Sequence, residues 1–515
     1  MTGLTMGHIA VRNARKWPDE EAVVEQSDEG RSKSYTFAEF DRRADRLANA
    51  LADRGIDQGD TVALYMKNNL ETLEAFLGAM KLGALPVPVN HRFKGDEVTY
   101  VLSDSDVEVC LLDSFGAETI AEIHDDPEMP VEHYLSVADD PPAFAERYDE
   151  ALAAASDDPV EIVPDRADEA GIMYTSGTTG MPKGCVYTHD NLAQIVQDGA
   201  YERDNLEPGN RHLIATPLFH VGAFIPFLSN FFVAGATIVV DGFDPERTMD
   251  LIEAEQVNST YLVPTQTRML LDLDDFETYD LSSLTDYSTG AAPVGADLKQ
   301  ETMERFGCTV TESFGQTEAL ALLLPPEMAL EKPESVGRPT LNLEAKVVDP
   351  DTREDLSPGE IGLIAYRGPA VIERYHNMPE KTAEVFTEDG WFVSGDLVRM
   401  DEDGFFYFVG RSDDMIISGG ENIYPAEIED VLHGHPDISE VAVVGVPDDT
   451  WGERVRACVV PHEGASLTEA DVVDSVAERL ADYKKPREVK LYDELPRNPT
   501  GKVIKDQLTQ TAEGN

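Results

Sequence analysis

The segment Tyr174-Thr175-Ser176-Gly177-Thr178-Thr179-Gly180-Met181-Pro182-Lys183-Gly184 packs four aliphatic hydroxyls, three glycines and one lysine into eleven residues. Hydroxyls and exposed backbone N–H groups bind phosphate oxygens. Glycines let the backbone come close and reach positive φ, and the lysine adds charge. The apolar run Gly171-Ile172-Met173-Tyr174 before it reads as a short buried strand. A phosphate-gripping loop after a strand is the chemistry this pattern suggests. An ordinary polar surface loop is the plain alternative. A Walker A loop is excluded, because Lys183 is followed by Gly184 and not by Ser or Thr.

Further clusters have the same character. Phe314-Gly315-Gln316-Thr317-Glu318 offers a ring to stack on a base, a hydroxyl for phosphate and a carboxylate for Mg²⁺. Ser394-Gly395-Asp396 reads as a tight turn whose acid suits two vicinal ribose hydroxyls. Ser288-Thr289-Gly290-Ala291-Ala292-Pro293 reads as a small-residue loop that lets a flat purine approach the backbone. Near the end stands Pro496-Arg497-Asn498-Pro499-Thr500-Gly501-Lys502. Taken singly, each fits a structural turn or a solvated lysine as well as it fits a site.

The elements that must position these residues alternate between strand and helix. Thr61–Tyr65 reads as a strand, 70–82 as an amphipathic helix and 84–89 as extended chain. Strands at 213–215, 237–240 and 260–263 continue the rhythm, which predicts an α/β architecture with substantial parallel sheet. Residues 113–169, rich in Asp, Glu, Ala and Pro, read as a surface region with short helices. From Glu344 the pattern shifts to short β segments, read as a β-barrel-like subdomain. Beyond Arg411 a compact α+β module follows, with helices at 426–432 and 467–480 and strands at 441–444 and 455–460. The predicted boundary divides the chain into 1–411 and 412–515.

Composition removes several classes. The 515 residues carry 99 Asp and Glu against 41 Lys and Arg, a net charge of −58. Nucleic-acid binding through a basic face is excluded on that balance. The acids are spread along the whole chain, so they are no tail, and they point to adaptation to high intracellular salt. Cys110, Cys185, Cys308 and Cys458 form no CxxC pair and read as buried free thiols of a cytoplasmic protein. The stretch 221–240 lacks charge and is long enough to span a bilayer. Gly222, Pro226, Ser229, Asn230, Gly235 and Thr237 interrupt it, so it reads as a buried helix followed by a strand at 236–240. Met1–Trp17 has no apolar core of a signal peptide.

The motifs occur together in a fixed order: 175–184, Pro217-Leu218-Phe219-His220, 314–318, 394–396, Gly410-Arg411-Ser412-Asp413-Asp414 and 499–502. In this the chain resembles the adenylate-forming superfamily of acyl-CoA synthetases, peptide-synthetase adenylation domains and firefly-type luciferases. The resemblance runs from Tyr35-Thr36-Phe37 to Lys502.

The resemblance implies a two-step ligase with ATP, Mg²⁺ and coenzyme A, in which a large N-terminal domain is followed by a small mobile C-terminal one. Thr175, Ser176, Gly177, Thr178, Thr179 and Lys183 would hold the β- and γ-phosphates. Glu318, helped by Thr175, would hold Mg²⁺, and Thr317 the α-phosphate. Phe314, Gly315 and the Gly290-Ala291-Ala292 backbone would flank adenine. Asp396 and Arg411 would fix the ribose. Lys502 would stabilise the bond-making transition state. Asp413 would be the hinge, and Gly420 would leave room for the pantetheine arm. Ile417 stands where some relatives carry Lys.

By the same resemblance His220 would line or gate the acyl pocket, with Val221-Gly222-Ala223-Phe224 as small and apolar lining. No Asp beside His220 offers itself to an amino-acid ammonium, and no carrier segment follows Lys502. The expected activity is therefore a fatty-acid–CoA ligase for medium- or long-chain acids. An aryl- or o-succinylbenzoate-CoA ligase, or a module loading a separate carrier protein, is the alternative. A homodimer is compatible with the sequence.

Overall fold

A computed structural model of the chain describes residues 5–27, 30–127, 129–160, 164–175, 181–202, 207–292, 294–418, 421–448, 450–462, 464–497 and 503–509. Its architecture is mixed α/β. The chain forms two compact units, one of Met1–Ala345 with Tyr366–Phe392, the other of Lys346–Ala365 with Val393–Asn515.

The first unit is built on a nine-stranded sheet. Its order is Arg338–Pro339, Ala319–Leu324, Thr309–Gln316, Asp286–Gly290, Ser259–Tyr261, Arg211–Ile214, Ala236–Val240, Glu21–Ser27 and Gly30–Thr36. Every pairing from Thr309–Gln316 through to Glu21–Ser27 is parallel, as the βα rhythm predicts, and the two edges turn antiparallel. Helices Pro245–Ala254, Pro264–Leu271 and Ala296–Phe306 cross between strands and bury Met249, Ile252, Leu270 and Phe306 against Leu213, Ile238 and Tyr287. Asp244 caps the first of these helices by accepting from Arg247 N, and Pro245 supplies its preset φ.

A second sheet of the same unit is wholly parallel, in the order Leu85–Pro88, Thr61–Tyr65, Val109–Leu112, His133–Ser136 and Glu146–Arg147. Its last two strands lie inside 113–169, which sequence reading gave only short helices. A four-residue and a two-residue strand are too short to show a period among acidic neighbours. Helix Leu70–Leu82 is also not amphipathic, because all thirteen of its residues are buried. Its polar residues are paired within the fold. Glu74 meets Arg43, and Lys81 meets Asp41 and Asp45. The stretch 221–240 forms the expected helix, Val221–Phe232, and strand, Ala236–Val240. Among the described residues no helix is long and apolar enough to cross a membrane. All four cysteines are buried free thiols.

A three-stranded antiparallel sheet of Glu169–Tyr174, Gly184–Thr188 and Arg374–Tyr375 completes the elements that matter for the site.

The second unit contains most of the four-stranded sheet Glu344–Val348, Ile361–Arg367, Phe392–Met400 and Phe406–Arg411. Ser394-Gly395-Asp396 therefore lies within a strand and not in a tight turn, a correction to the sequence reading. Its small and polar residues mimic a turn, but all three lie in strand Phe392–Met400, and Asp396 pairs with Arg411 across the sheet. The following α+β module has the long hairpin Ile438–Asp448 and Gly452–Pro461 at its centre. Helices Pro425–His433 and Glu469–Arg479 contribute Ile428, Leu432, Val472 and Val476 to its core.

Candidate functional site

Thr175 and Lys183 close the base of the hydroxyl- and glycine-rich loop. Thr175 N donates to Lys183 O at 2.9 Å, and Lys183 N donates to Thr175 Oγ1 at 3.4 Å. The antiparallel register Tyr174↔Gly184 sets this closure. Tyr100 Oη donates to Pro182 O at 3.1 Å and Tyr174 Oη donates to Asp104 Oδ2 at 2.6 Å, so helix Gly95–Asp104 anchors both ends of the loop. Ser176, Gly177, Thr178 and Thr179 lie outside the described residues.

Glu318 stands beside Lys183. Strands Thr309–Gln316 and Ala319–Leu324 pair with Gln316 opposite Ala319, which leaves Thr317 and Glu318 as the turn. The Glu318 carboxylate is buried, with Oε1 3.9 Å from Lys183 Nζ. Between them lies Tyr375, which sequence reading missed. Tyr375 Oη donates to Glu318 Oε1 at 2.6 Å and lies 3.5 Å from Lys183 Nζ, which also sits 4.7 Å from the ring centre.

One short segment stitches these parts together. Val371 bridges to Ala319, Ile372 N donates to Glu318 O at 2.9 Å, and Tyr375 pairs with Cys185. The Thr317 carbonyl accepts from the buried Tyr187 hydroxyl. Burial, with the Glu318 charge adding, pushes the Cys185 thiol and the Tyr187 phenol far up, so both stay neutral.

Among the described residues no group of three or more His, Cys, Asp or Glu could hold a metal ion. A lone buried carboxylate at a phosphate-type loop still fits Mg²⁺, which takes one or two carboxylates and completes its shell with water and substrate phosphate.

Gly290, Ala291 and Ala292 sit at the carboxyl end of a parallel strand, where open α/β sheets bind ligands. Of Ser288–Pro293 only Ala291 and Ala292 are seen outside the strand, since Asp286–Gly290 is strand and Pro293 lies outside the described residues. A Cβ on Gly290 would stand 2.2 Å from Ser313 O, and one on Gly315 2.4 Å from Ala319 O, so both positions require glycine. Ala291 holds φ +65°, left-handed backbone at a cost of about 1 kcal/mol for a residue with Cβ. Ala291 and Ala292 are exposed.

Phe314 lines an apolar pocket of about 640 Å³, open mouth included, together with Ile195, Val221, Gly222, Ile225 and Leu322. Among the described residues no Lys or Arg lines it, and its one carboxylate, Asp198, accepts from Asn342 Nδ2 at 2.5 Å. Val221 and Gly222 line it, but Ala223 and Phe224 do not. Both are buried, and Phe224 packs on Phe76 at 4.6 Å between ring centres. His220 precedes helix Val221–Phe232 and lies against Phe219, which in turn contacts His91. Burial and the Arg92 charge hold both imidazoles down at about 4.

In the second unit Asp396 and Arg411 are cross-strand partners, with Arg411 Nη1 3.3 Å from Asp396 Oδ1. Asp396 N also donates to Ser394 Oγ at 2.8 Å. Asp413 lies in the single turn Ser412–Asp414, and Ile417 is exposed. Gly420 and Lys502 lie outside the described residues.

Comparison with known proteins gives the same family over both parts of the chain. The model for "AMP-binding enzyme" matches residues 11–376, and that for "AMP-binding enzyme C-terminal domain" matches 427–502. A feruloyl-CoA synthase of Amycolatopsis sp is 37% identical over 506 residues, 98% of each chain. The long-chain-fatty-acid–CoA ligase FadD13 of Mycobacterium tuberculosis is 35% identical over 515 residues, again 98% of each. Among solved structures, ATP-bound MatB from Rhodopseudomonas palustris superposes with a TM-score of 0.88 at 32% identity, covering 98% of both chains.

Proposed function

The chain belongs to the AMP-binding enzyme family as an AMP-forming acyl-CoA synthetase that uses ATP, Mg²⁺ and coenzyme A, and from that premise we propose that it activates a monocarboxylic acid with an apolar body, a medium- or long-chain fatty acid first. The acid's carboxylate attacks the α-phosphate of ATP and pyrophosphate leaves. The thiol of coenzyme A then attacks the acyl-adenylate carbonyl and AMP leaves.

One hairpin carries this reading. Strands Thr309–Gln316 and Ala319–Leu324 put Phe314 on the apolar pocket and Glu318 beside Lys183. In this reading the acyl body and the phosphates meet at one element. Both reactants of the first step are anions, so the protein's work is placement and charge neutralisation. We assign Thr175, Ser176, Thr178, Thr179 and Lys183 to the leaving phosphates and Thr317 to the α-phosphate. Phe314, whose ring would then stand between the base and the acyl body, goes to adenine with the Gly290–Ala292 backbone, and Asp396 with Arg411 to the ribose. Mg²⁺ at Glu318 would offset phosphate charge. Lys502 is assigned to the bond-making step, Asp413 to the hinge and Gly420 to the pantetheine path. His220, neutral at pH 7, borders the acyl group without adding charge.

The absence of Lys and Arg from the pocket lining disfavours a second carboxylate on the substrate. A second reading has its own observation. Thr340 Oγ1 is buried at the pocket wall without a hydrogen-bond partner, which favours an oxygenated aryl acid able to reach it. The test is CoA-dependent AMP release in high salt, a condition chosen for the −58 charge. The panel runs fatty acids of graded length against cinnamic and hydroxycinnamic acids. Turnover of the fatty acids alone supports the first reading, and preference for the hydroxylated aryl acids the second. AMP release only with a carrier protein rejects both.

A further inference from the structure

Glu312 precedes Phe314 by two residues on strand Thr309–Gln316, and nothing in the reaction scheme uses it. It is buried, and it forms an ion pair at 2.5 Å with the equally buried Lys299 of helix Ala296–Phe306. The side chains are 4% and 1% exposed. The Glu312 carboxylate also accepts from Val294 N. Lys299 Nζ donates in addition to Pro333 O at 2.5 Å.

These contacts join three pieces. Val294 stands just past Ala291 and Ala292, at the far end of the loop that begins where strand Asp286–Gly290 stops. Glu312 itself pairs with Thr289 across the parallel ladder. Backbone pairing with Thr289 therefore fixes the start of the Ala291–Ala292 loop, and the Glu312 carboxylate holds Val294 beyond it, both from the strand that carries Phe314. Stability alone gives no reason for an ion pair here. Well-packed apolar residues do as well in such a place, whereas one unpaired buried charge is costly.

We propose that Glu312 is a positioning residue for the nucleotide base, setting the width of the slot between the Ala291–Ala292 backbone and the Phe314 ring. This rests on the assignment of those residues to adenine.

The test uses the double variant Glu312→Leu/Lys299→Met, which removes both charges together and leaves no unpaired ion. Glu312→Gln, which keeps an acceptor for Val294 N, serves as the conservative comparison, and Phe314→Leu as the control on the assignment. The double variant is expected to raise KM for ATP about tenfold and to cut the preference for ATP over GTP by a similar factor. KM for the acid should stay within about twofold, and Glu312→Gln should recover part of the base preference. If the folded double variant keeps its KM for ATP and its base preference while Phe314→Leu loses them, the positioning role is overturned and the adenine assignment stands. If Phe314→Leu also changes neither, the assignment itself is wrong. Equal loss in every parameter would make the pair a structural brace only.

Discussion

The hydroxyl of Tyr375 donates to Glu318 Oε1 at 2.6 Å, and the two residues are 2% and 6% exposed. A buried hydrogen bond to a carboxylate is worth about 1.5–3 kcal/mol. It fixes the oxygen that faces Lys183 and leaves the Glu318 side chain little freedom to rotate. Tyr375 is thus the residue that aims the proposed Mg²⁺ ligand.

Tyr375→Phe should therefore raise the Mg²⁺ concentration for half-maximal pyrophosphate release by about tenfold, as expected for losing one such bond. The ring stays, so its packing and the Lys183 contact above it should survive. A magnesium titration of the variant, with circular dichroism as a folding check, reads this directly. An unchanged magnesium requirement would remove Tyr375 from the site.

Lys502→Ala should slow acyl-adenylate formation by on the order of 10²–10³, the usual effect of removing a transition-state charge contact. Thioester formation from supplied acyl-adenylate should stay near the wild-type rate. Equal slowing of both half-reactions would contradict the assignment.

Gly222 lines the apolar pocket proposed for the acyl chain, and a Cβ there would come within 3.1 Å of the Tyr261 ring. Gly222→Leu should shorten the pocket and lower kcat/KM for the longest accepted acid by about tenfold or more, given 1–3 kcal/mol per displaced methylene. The preference should move to shorter acids, with KM for ATP unchanged. A uniform fall across chain lengths would mean that the acyl chain lies elsewhere.

His91, His189 and His220 all have pKa values pushed down to about 4, chiefly by burial. The unfolded chain takes up these protons near the ordinary histidine value and the folded chain only near pH 4. Stability is therefore full above that ordinary value and falls as pH drops toward 4. His189 is completely buried, and neither ring nitrogen has a hydrogen-bond partner. Its share of the loss approaches about 3 kcal/mol below pH 4. His189→Gln should flatten the fall of Tm between pH 6.5 and 4.5, and an unchanged slope would place the acid sensitivity elsewhere.

The parts of this site that were legible in the sequence are those whose chemistry is crowded into a few residues. Thr175 with Lys183, and Phe314 with Glu318, announce themselves because hydroxyls, glycines and charges cluster there. The parallel sheet was legible because its buried strands are apolar runs between helical patterns. Tyr375 was not, because its two-residue strand has no period and its partners are 57 and 192 residues away in sequence. Helix Leu70–Leu82 misled for a related reason. Its Glu74 and Lys81 look like a solvent face until the partners Arg43, Asp41 and Asp45 arrive from another helix. Ser394–Asp396 has the composition of a turn, yet it runs within strand Phe392–Met400, whose ladder with Phe406–Arg411 begins at Asp396. Long-range pairing decided each of these cases, and local residue type does not encode it.

The central claim is that an acyl-adenylate forms before the thiol takes part. Rapid mixing of enzyme, ATP, Mg²⁺ and an accepted acid without coenzyme A tests it most directly. The account predicts a burst of one pyrophosphate per active site with AMP retained as acyl-adenylate, then release of AMP and acyl-CoA when coenzyme A is added. Formation of ADP and phosphate, or no pyrophosphate until coenzyme A is present, would contradict it.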